Sequence, residues 1–311
     1  MLQGLPLTFR NEASMDYSRG RGVSSDIIET APVNGGTDVR MSPEDRAALS
    51  EAVRLLEYES FTARVTYALG RGVSGVGAFM PDVARSIASK AATAALKRAM
   101  RVAVSSLDAR TAKPARTGLH KSLLTASGAA GGALGLAALP MELPVSTILV
   151  LRAIADVARA EGEDLSHPEA AVACMEVFAL GGRTSADDQM DSAYFALRAV
   201  LASSVSEAAK HVARHGVSGS GAPVMVRFVS QIASRFGVVV SHKLAAQSIP
   251  VIGAIGGGAI NYAFAEHFLG LARGHFTVRR LERAYGAPAV HREYERVAAI
   301  WRSNRDHPAK G

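Results

Sequence analysis

Small and apolar residues along this chain recur at helical spacing, and no run alternates as a half-buried strand would. SPEDRAALSEAVRLLEYES predicts a first helix: Ser42 can cap it, Pro43 suits the first helical position, and Asp45 favours the positive end. Val53, Leu56 and Phe61 are its expected inward side chains. After a break at GRGVSGVGAFMP, an alanine-rich helix is predicted over about 81–108, with Ile87, Ala91, Ala94 and Leu96 at helical spacing. Arg85, Lys90, Lys97, Arg98 and Arg101 give it a basic surface. Ser122 to Leu151 carries a single charge, Glu142, and is long enough to cross a bilayer. Pro140 and Pro144 interrupt that run and predict two helices or a helical hairpin. Pro168 opens the next helix, and a longer one is expected over about 186–215, capped by Thr184 or Ser185. Helices over about 223–246, 251–274 and 288–302 complete the chain, with the short VVV at 238–240 inside a helical context.

The expected fold is therefore all-α. It is one multi-helix domain over 41–303 with two Gly-rich apolar helical segments, between a disordered N-terminal tail (1–40) and a short C-terminal tail (304–311). Hydrophobic residues make up 48% and charged residues 20%, which suits a folded core. Aromatics are only 6%, so Ala, Val and Leu must fill that core and helices must approach closely. The glycines fit this reading. Gly128 with Gly132, and Gly253 with Gly257, are spaced four apart, as small faces for helix packing require. Asn261 falls on the Gly253–Gly257 face, as an interhelical hydrogen-bonding residue or a ligand contact. GAIGGGAINY lacks the lysine and hydroxyl of a phosphate loop and does not match a dinucleotide fingerprint.

Extended segments in a fixed order resemble the EcsC family. They are MELPVSTILVLRAIADVARAEGEDL followed by ACMEVFALGG, and then APVMVRFVSQIASRFGVVVSHKLAAQSIPVIGAIGGGAINYAFAEHFLGLARGHFTVRRLERAYG. The similarity spans roughly residues 45–300. It implies a hydrophobic, helical protein, from a family named for a protein encoded beside an ABC transporter. It supplies no reaction, cofactor or catalytic residue to carry over.

Net charge is +7, which attracts nucleic acid or anionic lipid. No nucleic-acid module is present and the aromatics do not interleave with the basic residues, so lipid is the expected partner. Lys113, Arg116 and Lys121, with Arg273, Arg279 and Arg280, form the expected basic rim. The apolar run of about twenty-two residues between Lys243 and Glu266 could span a bilayer, although Gln247, Pro250 and Asn261 weaken that case. The N-terminus has no signal-peptide h-region, and the single cysteine, Cys174, suits a reducing compartment and a buried position. The expected location is cytoplasmic, peripheral to the inner membrane, with integral insertion as the alternative.

Candidate chemistry is sparse. Glu142 is a helix-start carboxylate, or a buried one paired with Arg152 or a ligand. Arg183, Tyr194 and Arg198 are candidate contacts for an anionic headgroup or polar ligand, against the reading that Tyr194 and Arg198 hold neighbouring helices together. Asp187, Asp188 and Asp191 read as first-turn acids rather than a metal cluster. His267 and His275 are eight apart, too far for a compact zinc pair. No GxSxG frame surrounds Ser74, Ser218 or Ser220. No metal or cofactor is expected. Two functions remain in view: a non-enzymatic membrane-associated protein that binds lipid or a membrane-protein partner, and a hydrolase with a site around Glu142, His267 and Asp187.

Overall fold

Prolines and capping hydroxyls set where several helices start. In a computed structural model, Ser42 accepts a hydrogen bond from the Asp45 N–H and Pro43 follows it, as the sequence predicts. The structure describes residues 41–58, 60–69, 82–106, 122, 125, 139–182, 192–216, 222–247 and 253–306. Every regular element among them is helical: α1 (Pro43–Val53), which continues through a π-helical turn (Arg54–Tyr58), α2 (Phe61–Leu69), α3 (Asp82–Ser106), α4 (Leu139–Ala160), α5 (Pro168–Leu180), α6 (Ala193–His215), α7 (Pro223–Gln247), α8 (Gly253–Tyr285) and α9 (Ala287–Asp306). The two expected tails, the break before α3 and the Gly128–Gly132 segment lie outside the described residues, apart from the last turn of α9.

Two local expectations are corrected, and the inward face of α3 is defined. Pro144 does not end a helix: α4 runs from Leu139 through it to Ala160. It removes one backbone hydrogen bond with only about one turn of α4 before it, so the helix tolerates it. The described start of α6 is capped by Ser192, whose hydroxyl accepts from the Phe195 N–H, not by Thr184 or Ser185. On α3 the inward arc is Ala88, Ala92, Ala95, Leu96, Ala99 and Met100, whereas Ile87 is 51% exposed and Ala94 is also outside.

α8 is the axis of the fold. It packs against α1, the π turn, α2, α4, α5, α7 and α9. α4 runs parallel to it, with Glu142 near Asn261 at one end and Glu163 on Arg279 at the other. α7 runs the opposite way, with Lys243 over Phe264 and Phe236 against Phe268. α5 is buried on all sides from Ala170 to Leu180, as a helix apolar all round must be. Its Phe178 meets Phe236 and Phe268 at ring-centroid distances of 5.1 and 5.2 Å. Phe264 packs on Phe268 and Phe61, which closes an aromatic cluster inside an otherwise aliphatic core.

Small residues let these helices approach. Gly257 is buried in α8, whose first residue is Gly253. A further pair four apart, Gly270 and Gly274, faces α1 and the π turn. A Cβ at Gly274 would stand 2.7 Å from Leu56 Cγ and 3.1 Å from the Ala52 carbonyl oxygen. At Gly270 the nearest atom, at 2.9 Å, is the flexible guanidinium end of Arg64. At Gly237 in α7 the nearest is Ser89 Cα at 3.9 Å, an ordinary contact. All three are helical, so alanine returns about the same propensity, up to about 1 kcal/mol, at each. Gly274→Ala is expected to lower stability by about 1–2 kcal/mol through overpacking against backbone, Gly270→Ala to change it little, and Gly237→Ala to raise it. Urea unfolding of the three variants checks this order; a Gly274→Ala protein as stable as Gly237→Ala contradicts it.

Candidate functional site

Two buried polar centres lie along α8. The first joins α4, α7 and α8. Lys243 has no exposed surface, and its Nζ donates to Glu142 Oε1 at 2.8 Å. Gln247 Nε2, one turn later on α7, donates to the other carboxylate oxygen at 3.2 Å, and Asn261 on α8 hydrogen-bonds the same carboxyl. Burial by itself raises the Glu142 pKa. The Lys243 charge and the three side-chain hydrogen bonds outweigh it and hold the carboxyl below its ordinary range. Burial pulls the Lys243 ammonium down against the pull of Glu142, while the Phe264 ring face, 4.7 Å from Nζ, favours the charged form. The centre is a charged pair whose carboxylate accepts from three side chains. The sequence reading offered Arg152 as the partner of Glu142, but Arg152 is exposed and Lys243 takes that place. Asn261 thus reaches from α8 to α4.

The second centre joins α5, α6, α8, α9 and the π turn. Tyr194 Oη lies 3.0 Å from His275 Nδ1, and both residues are buried. Arg198, one turn after Tyr194, donates to both Glu282 oxygens at 2.8 and 3.1 Å and to Tyr194 Oη at 3.4 Å. The pair thus holds α6 on α8. Glu57, turned inward by the π turn, accepts from Ser192 Oγ, the Tyr194 N–H and Tyr294 Oη. Glu176 on α5 is buried beside these groups; burial pushes its carboxyl up, and the Arg198 and Arg279 charges moderate the rise. An open groove of about 410 Å³ runs along the outside of this centre, with Phe195, Arg198, Glu282 and His291 on its walls.

His267 stands apart from both centres. Its Nε2–H donates to the Gly181 carbonyl at 3.3 Å, and with His242 it lines a small cavity of about 60 Å³. Glu142, His267 and His275 each engage a different partner: Lys243 on α7, the Gly181 carbonyl after α5, and Tyr194 on α6. Arg183 and the three acids Asp187, Asp188 and Asp191 lie outside the described residues. Among the described residues, no group of three or more His, Cys, Asp or Glu is placed to hold a metal ion. Cys174 is buried, and burial pushes its thiol up to about 12, which keeps it protonated and unreactive.

Of the arginines expected as a basic rim near the end of α8, Arg273, Arg279 and Arg280, the last two are neutralised. Arg279 donates to both Glu163 oxygens at 2.8 and 3.1 Å, Arg283 pairs with Glu163, and Arg280 bridges Asp45 and Glu161. Lys113, Arg116 and Lys121 lie outside the described residues. Lys243, Glu57 and Glu176 are the functional-type residues to which pattern reading gave no role. A single lysine within the apolar stretch of α7 and a single glutamate within that of α4 were the available signal, since two isolated opposite charges in apolar helices need each other.

An all-helical core with internal ion-pair centres defines the class of protein that this fold builds. The EcsC protein family model matches residues 62–281, and the chain belongs to that family. No curated protein and no solved structure matches it.

The neutral buried imidazoles make stability depend on acid. Burial depresses the His267 pKa from its ordinary 6.5 to about 4, and that of His275 also falls well below. Below pH 6.5 the unfolded chain takes up these protons before the folded one does. The stabilisation is complete above that pH and is lost as pH falls towards 4, by about 3 kcal/mol for His267. Urea unfolding at pH 7 and pH 5 is expected to show a fall of about 2 kcal/mol from His267 alone, reduced in His267→Gln. A wild-type loss that His267→Gln leaves unchanged contradicts this.

Proposed function

We propose that this EcsC-family protein is a non-enzymatic helical protein of the cytoplasmic side that attaches peripherally to the inner membrane and binds lipid or a membrane protein there. The observation that supports it most is the apolar surface around the first buried centre. Glu142 points inward to Lys243, and on the same first turns of α4 its neighbours Met141 and Val145 stand 81% and 51% exposed. On α8, Tyr262 beside Asn261 is 44% exposed at the same end. Solvated methionine, valine and tyrosine at one end of a helical bundle suit the boundary between headgroups and acyl chains.

α7 is long and apolar enough to cross a bilayer, but half of that stretch is buried inside the fold, and Lys243 sits at its inner end. A helix that serves the core in this way favours peripheral attachment over insertion. The non-enzymatic part of the reading rests on the separate engagement of Glu142, His267 and His275.

Cell fractionation tests the proposal. The protein is expected to sediment partly with membranes at low salt and to be released by high salt, because exposed charges are then screened. Complete recovery in the soluble fraction at low salt contradicts membrane attachment. Release by detergent alone replaces peripheral attachment with insertion.

A further inference from the structure

α3 carries the largest unneutralised charge among the described helices. From Val83 to Ser106 it has no acidic residue. Lys90, Lys97, Arg98 and Arg101 are exposed, and none of them has an ion-pair partner among the described residues. This differs from the end of α8, where every arginine of the Arg279, Arg280 and Arg283 set is held by a carboxylate.

The four cations share one face. At about 100° per residue they fall, with exposed Ile87 and Ala94, within an arc of about 100°, while the buried arc from Ala88 to Met100 lies opposite. The stripe from Ile87 to Arg101 is about 21 Å long at 1.5 Å per residue. The buried arc packs on α4 and α7, so the cationic face is held rigid and outward.

We infer that this face of α3 docks on a bilayer surface through the phosphates of anionic phospholipids, with Ile87 reaching below the headgroups. This rests on the membrane reading above and assigns the element that makes the contact and the chemistry that it recognises. Charge complementarity is the first argument: a polybasic helix face near an anionic leaflet gains attraction with each cation. The make-up of the stripe is the second. It mixes cations with an exposed isoleucine and a small alanine along one helix face, a composition suited to a plane of headgroups. It offers no aromatic side chain on which a base could stack, and base stacking is what single-stranded nucleic-acid sites add to charge.

The test is co-sedimentation of the full chain with vesicles of phosphatidylcholine alone and of phosphatidylcholine mixed with phosphatidylglycerol, at low salt. The wild type is expected to bind the mixed vesicles and to bind the neutral ones far less. Lys97→Gln/Arg98→Gln/Arg101→Gln is expected to weaken binding to the mixed vesicles about 100-fold with an unchanged melting temperature. Arg214→Gln/Arg292→Gln, exposed elsewhere, is expected to leave binding within about twofold. Equal binding to both vesicle types, or mixed-vesicle binding that the α3 variant retains or that the control loses equally, overturns the α3 assignment and leaves membrane attachment standing. Binding to neither vesicle overturns both. A wild type that retains a DNA duplex and no vesicle overturns the lipid assignment in favour of nucleic acid.

Discussion

A lysine with no exposed surface faces a buried glutamate 2.8 Å away, and three helices meet at that contact. Removing two charges from water costs several kcal/mol per ion, and the cost is offset only when the pair is close and its remaining hydrogen-bonding capacity is met. Here the pair is close, and its carboxylate accepts from three side chains. Lys243 from α7 supplies the charge, Gln247 and Asn261 supply further donors, and Phe264 presents its ring face to the ammonium. An error of one residue in the register of α4, α7 or α8 turns one of these groups about 100° away and leaves a buried charge uncompensated. In an alanine-rich core, where most helix faces look alike, this directional contact fixes alignments that apolar packing leaves loose.

The same constraint recurs along α8. Arg198 with Glu282, and Arg279 with Glu163, tie α6 and the turn after α4 to the axis, while Gly270 and Gly274 let α1 and the π turn close against it. Each polar tie joins elements far apart in the chain. The arginines Arg279, Arg280 and Arg283 at the end of α8 are paired with carboxylates, whereas Lys90, Lys97, Arg98 and Arg101 of α3 are exposed with no ion pair among the described residues.

Much of the helical layout was legible in the sequence. Pro43, Pro168 and Pro223 each mark a helix start, and the alanine-rich run gives α3 to within about two residues. The inward face of α3 was not legible from apolar spacing, because alanines occupy both arcs; the positions of Lys90, Lys97, Arg98 and Arg101 were the better guide to what faces out. Tyr194 and Arg198 were found as a ridge, but their partners, His275 and Glu282, are about eighty residues away. Glu142 stood out as the one charge in its run, yet its partner lies 101 positions later, and only the antiparallel crossing of α7 and α8 beside α4 brings them together. Local pattern identifies the group that needs a partner. The tertiary arrangement supplies the partner.

A double-mutant cycle on Glu142 and Lys243 tests this account most directly. Urea unfolding would be measured for the parent, Glu142→Leu, Lys243→Met and the double variant. Each single change is expected to cost about 3–5 kcal/mol, because it leaves the other charge buried and alone, and the double variant is expected to recover most of that loss. Single effects that simply add in the double variant would contradict it, since the two residues would then not depend on each other.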